Sequence, residues 1–190
     1  MEAFLASTAV VALAEIGDKT MLLAIVLAAR LRAPWQILAG IFAATILNHS
    51  LAAFVGSEVA GLLDAPWFRI AVALGFIVMA GWTLIPDKLD DDDGGFRQRG
   101  GAFLTTAIAF FFVEMGDKTQ IATIALGAKY HDVLVVAAGT TLGMMIANAP
   151  AVFLGDKLLS RISLKWTRIM AALVFLVLGL WQLAETIRVF

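Results

Sequence analysis

Residues 15–20 read Glu-Ile-Gly-Asp-Lys-Thr, and residues 114–119 read Glu-Met-Gly-Asp-Lys-Thr. Each copy sets two carboxylates, an ammonium and a hydroxyl among alanine, leucine, valine, isoleucine and phenylalanine. Glu15 and Asp18 lie three apart, so on a continuous helix they share a face; Glu114 and Asp117 do the same. If the two copies meet, four carboxylates converge on one small volume. Such a cluster suits a hard divalent cation: Mg²⁺, Ca²⁺ or Mn²⁺. Zinc and copper favour thiolate and imidazole, and this chain has no cysteine and two histidines. Thr20, Thr119, Gln120, Asn48 and Asn148 add neutral oxygens as candidate ligands. The amides carry more weight than the threonines, whose hydroxyls can equally bond back to the preceding turn. Gly17 and Gly116 loosen the helix inside each motif and can free carbonyls as further ligands.

Lys19 and Lys118 each follow a glutamate by four residues, the spacing of an intrahelical ion pair. Two Glu, two Asp and two Lys leave a charge of −2, which one divalent cation or two protons would neutralise. Lys19 and Lys118 therefore read as charge-balancing groups in a site that exchanges metal for protons; the alternative is that they point away and pair structurally. His49 adjoins Asn48, and matching Asn48 to Asn148 sets His49 against Ala149, so it reads as a structural histidine. Met144, one turn before Asn148, reads as packing. Residues 155–157, Gly-Asp-Lys, mimic the motif without its glutamate and read as a decoy. The aspartates at 90–93 read as a solvated run.

These groups need elements that hold them in apolar surroundings. The chain has 190 residues, 61% hydrophobic and 15% charged, with a mean hydropathy of +0.90. Soluble domains carry about 25% charged residues, so the composition points to a lipid bilayer. A net charge of −1 and the lack of a basic stripe set nucleic acid aside. Ala12-Leu13-Ala14 has the spacing of a signal-peptide cleavage site, but Met1-Glu2 lacks the positive charge that would precede one. Six apolar stretches, at 3–29, 34–55, 67–85, 102–128, 133–154 and 166–184, approach the roughly 20 residues that span a hydrocarbon core of about 30 Å. Helices are the default there, because lipid cannot satisfy an open strand edge. Glu15 and Glu114 each fall about 18 Å along their stretches at helical rise, near mid-bilayer, where ionisable groups are costly and mark ion or proton paths.

The motifs are displaced by 99 residues, and so are Arg30 and Lys129, Gly40 and Gly139, Gly56 and Gly155, Trp67 and Trp166, Arg69 and Arg168, Ile70 and Ile169, Phe76 and Phe175, and Trp82 and Trp181. Asn48 and Asn148 differ by 100, read as a one-residue slip. The chain is therefore an internal duplication: a first three-helix repeat at 1–86, an acidic Gly-rich cytoplasmic linker at 87–101, and a second repeat at 102–190, together one transmembrane domain. With three spans each, the second half must enter the membrane inverted. The expected fold is an all-α integral membrane protein of six transmembrane helices in two inverted repeats. Arg30, Arg32, Lys88, Arg97, Arg99, Lys157, Arg161, Lys165 and Arg168 collect on one side, against Arg69, Lys129 and Arg188 on the other. The positive-inside rule makes the crowded side cytoplasmic and both termini extracytoplasmic. The expected location is the cell inner membrane, and homo-oligomerisation is left open.

The duplicated Glu-x-Gly-Asp-Lys-Thr, one copy in the first span of each half, resembles the cation–proton exchangers of the Golgi and chloroplast and their bacterial manganese-exporter relatives of the MneA and Mnx type. The resemblance covers essentially the whole chain. It implies six transmembrane helices, transport of Mn²⁺ with Ca²⁺ also handled by eukaryotic members, and Glu15, Asp18, Glu114 and Asp117 as the residues that carry the metal. It also favours export from the cytoplasm against a proton flux, with no resident cofactor and no enzymatic activity. The rival readings are a divalent-cation channel, which needs no proton coupling, a membrane-embedded hydrolase, and an exporter of small organic solutes. Near-identical motifs argue against the hydrolase, because acid and base roles need unlike environments. The motif faces, mainly small residues and carboxylates, argue against the solute exporter.

Overall fold

The computed structural model describes residues 1–62, 66–85, 101–155 and 164–188. These form eight helices, with no strand among the described residues: α1 (Glu2–Glu15), α2 (Lys19–Leu31), α3 (Pro34–Leu62), α4 (Pro66–Thr83), α5 (Gly101–Glu114), α6 (Lys118–Tyr130), α7 (Val133–Leu154) and α8 (Leu164–Arg188). The expected linker at 87–101 lies outside the described residues except for Gly101, which opens α5, and Lys88, Arg97, Arg99, Asp156, Lys157 and Arg161 also lie outside them.

Among the described residues, three helices are long and apolar enough to cross a membrane, at Pro34–Val59, Val133–Leu154 and Arg168–Arg188. The surface is inside-out by the standard of a soluble protein. Phe42, Leu47, Leu51 and Phe54 of α3, Phe112 of α5, and Val177 and Leu180 of α8 are exposed. Glu15, Asp18, Asn48, His49, Glu114, Asp117, Lys118 and a set of threonines are buried. An apolar exterior of this extent is stable against lipid and a liability in water.

The stretches at 3–29 and 102–128 are not the continuous helices that their composition suggests. Each breaks at its motif, α1 from α2 and α5 from α6. The cause is local. Gly17 and Gly116 take φ of +88° and +78°, left-handed values that end a helix and that glycine adopts without a Cβ penalty. Asp18 and Asp117 then stand extended, at φ/ψ of −82°/171° and −78°/168°, as the N-caps of α2 and α6. The bridging bonds match too: the Asp18 N–H donates to the Glu15 carbonyl at 3.0 Å, and Asp117 to Glu114 at 3.1 Å. At the far ends, Arg32 and His131 both close their helices in the left-handed conformation, at φ of 50° and 54°.

The two halves interdigitate. α1 and α2 pack on α7, α5 and α6 pack on α3, and α4 packs on α8. Glycine makes the closest approaches possible. A Cβ on Gly40 would lie 2.7 Å from the Phe103 carbonyl oxygen and 2.8 Å from Thr106. One on Gly139 would lie 2.7 Å from the Phe4 carbonyl oxygen and 3.0 Å from Ser7. All three residues of the second contact lie 99 positions from their partners in the first. Phe76 of α4 and Phe175 of α8, also 99 apart, stack with ring centroids 6.4 Å apart.

Candidate metal centre

The helix breaks decide where the motif side chains go. α1 ends on Glu15 and α5 on Glu114, so each glutamate is carried by the last turn of a helix whose final carbonyls lack helical partners. Both are buried, at 0% and 1% exposure. Oxygens of Glu15, Glu114 and Asp117 lie within 4.8 Å of one another, close enough for one ion to touch all three. Glu15 Oε1, Glu114 Oε2 and Asp117 Oδ2 are buried without a hydrogen-bond partner, and so is Asn148 Oδ1. Carboxylates crowded this way repel one another in a low dielectric, and a divalent cation relieves the repulsion.

The break also removes the helical face that Glu15 was expected to share with Asp18. Asp18 is not part of the trio; its Oδ1 faces Lys118 Nζ at 3.9 Å. In the mirrored contact Lys19 Nζ lies 3.4 Å from Asp117 Oδ1. Each lysine therefore meets the aspartate of the other repeat. They stand next to the carboxylates rather than pointing away. Lys118 Nζ also donates to the Ile85 carbonyl at 3.3 Å.

The neutral candidates divide. The Thr20 hydroxyl donates to Glu15 Oε2 and the Thr119 hydroxyl to Glu114 Oε1. This is neither back-bonding to the helix nor direct access to the trio: each threonine fixes the glutamate of its own motif. Asn148 Nδ2 approaches Glu15 Oε2 at 3.4 Å, and bonds the Met144 carbonyl at 3.1 Å and Met144 Sδ at 2.9 Å. Met144 thus orients the amide as well as packing. Asn48 does not mirror this, since its Nδ2 donates to the Phe111 carbonyl at 3.0 Å and ties α3 to α5. Gln120 also serves structure: its Oε1 accepts the Gly116 N–H at 2.6 Å across the helix break.

The residue opposite Glu114 is His49. Its Nε2 lies 3.6 Å from Glu114 Oε1, and the side chain is wholly buried. His49 and Asn148 are 99 residues apart, so they are the symmetry-related pair and no slip separates the repeats. The signal was present in the sequence. Gly40/Gly139 and Gly56/Gly155 flank the position at a displacement of 99, and an uninterrupted helix between them has no room for an inserted residue. Matching the two asparagines hid it.

A helical bundle that turns its apolar side chains outward, and gathers carboxylates and lysines at two broken helices inside, has the make-up of a membrane protein. The chain belongs to the family described as divalent cation/proton antiporter GDT1, which matches residues 3–91 and 102–189; it is a transporter and not an enzyme. It is 48% identical over 92% of its length, and 86% of the relative's, to a Vibrio cholerae protein described as "Putative manganese exporter". It is 29% identical over 92% of its length to a GDT1-like protein of Synechocystis, covering 93% of that protein. A GDT1-like protein of Arabidopsis thaliana is 28% identical over 96% of both chains. No solved structure matches.

Proposed function

We propose that this chain exports Mn²⁺, with Ca²⁺ as a secondary cargo, from the cytoplasm in exchange for protons. Glu15, Glu114 and Asp117 hold the ion. Asn148 contributes its amide oxygen, Thr20 and Thr119 position the glutamates, and Lys19, Lys118 and Asp18 complete the charge balance. One observation carries the reading: three buried carboxylates, drawn from both repeats, lie within 4.8 Å of one another with unpartnered oxygens. Mn²⁺ and export are favoured by the Vibrio cholerae relative's description, and proton exchange by the family's.

In this reading each broken helix counts as one crossing, so α1–α2, α3 and α4 make three spans and α5–α6, α7 and α8 another three. An odd number per half requires the second to run inverted, which sets the two helix breaks against each other at mid-membrane. In the same reading the protein lies in the inner membrane with both termini outside the cytoplasm, an orientation that the lysine and arginine distribution supports. The test is reconstitution in liposomes containing metal and pH reporters. Mn²⁺ movement with opposite proton movement, lost in Glu15→Gln and in Glu114→Gln, supports the reading. Transport that survives both substitutions overturns it, and metal flux without proton movement identifies a channel.

A further inference from the structure

We propose that His49 sets cargo selectivity: it supplies a nitrogen ligand, shared with Glu114, that favours first-row transition-metal ions over Ca²⁺ and Mg²⁺. The inference rests on the transport reading and adds to it a residue outside the duplicated motif.

Three observations carry it. Both imidazole nitrogens of His49 are buried without a hydrogen-bond partner, a costly state for a polar ring. Nε2 faces Glu114 Oε1 at 3.6 Å. Each repeat supplies its glutamate to the centre with a threonine bonded to it, but α3 and α7 differ in what they offer: His49 against Glu114, Asn148 against Glu15. The centre thus draws one glutamate from each repeat, takes Asp117 from the second alone, and is flanked by unlike donors from α3 and α7.

The chemistry follows from donor type. Ca²⁺ and Mg²⁺ take oxygen ligands, and an imidazole in place of a water or carboxylate weakens them. First-row transition ions accept nitrogen and oxygen together. Two adjacent ligands about 2.1 Å from an octahedral metal stand ~3 Å apart, so an ion bound between Glu114 and His49 has to draw them less than 1 Å closer. His49 stands beside the carboxylate trio, on its Glu114 side, so the selected ion sits toward that side.

The experiment uses purified full-length protein loaded with Mn²⁺ and examined by electron paramagnetic resonance for hyperfine coupling to a bound nitrogen. His131, the only other histidine, is exposed, so His131→Asn is the control. Coupling present in wild type and in His131→Asn, and absent in His49→Asn, supports the proposal. Bound Mn²⁺ without nitrogen coupling in wild type overturns it while leaving the transport reading intact, and this arm needs no His49 variant to fold. In liposomes, His49→Asn reproduces the amide of the other repeat and is expected to lower the ratio of Mn²⁺ to Ca²⁺ transport about tenfold, the low end for removing a group that supports a metal site. An unchanged ratio overturns the selectivity role. Wild type that neither binds nor moves Mn²⁺ overturns the transport reading and this inference together.

Discussion

Lys118→Met is expected to destabilise the protein far more than Lys19→Met, although the two lysines occupy the same place in their motifs. The Lys118 side chain is 3% exposed, and its ammonium lies 3.9 Å from the equally buried Asp18 carboxylate. At that separation and an effective dielectric of about 20, their attraction is about 4 kcal/mol. Removing one partner of a buried pair costs about 3–5 kcal/mol. The Lys19 side chain is 22% exposed beside Asp117, so water can take over part of its role, and the loss is nearer the 1 kcal/mol upper range of exposed pairs. The assay is reversible unfolding in detergent for Lys118→Met, Lys19→Met, Asp18→Asn and the double variant Lys118→Met/Asp18→Asn. The double variant should recover about 2 kcal/mol or more relative to Lys118→Met, because the lost pair contributes to both single losses. Equal losses for the two lysine variants, or no recovery on adding Asp18→Asn, would refute the cross-repeat pairing.

Two further outcomes follow from the same geometry. Ligating carboxylates must be deprotonated, so protons compete with the metal and its affinity rises with pH; with two protons displaced per ion, Mn²⁺ titrations should show up to about a 100-fold gain per pH unit below the titration range, and a pH-independent affinity would contradict exchange at this centre. Gly40→Val and Gly139→Val each push a Cβ to 2.7 Å from a carbonyl oxygen of the opposite repeat, so each should cost about 1–3 kcal/mol in thermal stability, and by similar amounts if the two contacts are equivalent.

The helical, apolar character of the chain was legible because it depends on residue type and spacing along the chain. The helix breaks were legible in principle and were read too weakly. A glycine followed by aspartate is a helix stop followed by a helix start, yet treating Gly17 and Gly116 as loosening an intact helix kept Glu15 and Asp18 on one face. That error produced the others: with the helix broken, Asp18 leaves the carboxylate cluster and the i,i+4 lysine pairs disappear. The cross-repeat pairs Lys19–Asp117 and Lys118–Asp18 were not legible, because sequence spacing says nothing about which charge a lysine meets across an interface. The partners of Asn48 and Gln120 were not legible for a related reason. An amide near the middle of a span must satisfy its own donors, and here backbone groups of Phe111 and Gly116 do so.

The motif makes local sense only when both copies are present. An aspartate at an N-cap ordinarily accepts from the first-turn N–H groups, but neither Asp18 nor Asp117 makes that bond. A lysine at the first helical position sits at the positive end of the helix dipole, unfavourable by about 0.3–1 kcal/mol. Each motif therefore gives up local stability at two successive residues. It is recovered across the interface, where each lysine meets the aspartate of the other repeat. Asp117 differs from Asp18 in belonging also to the carboxylate trio. On the proposed mechanism, an ion that binds Asp117 competes with Lys19 for the same carboxylate. Loading the centre would then weaken the Lys19–Asp117 link between the halves while leaving Lys118–Asp18 in place. A secondary transporter needs such a connection between occupancy and interface strength, because the halves must rearrange only when the cargo or its replacing protons are bound.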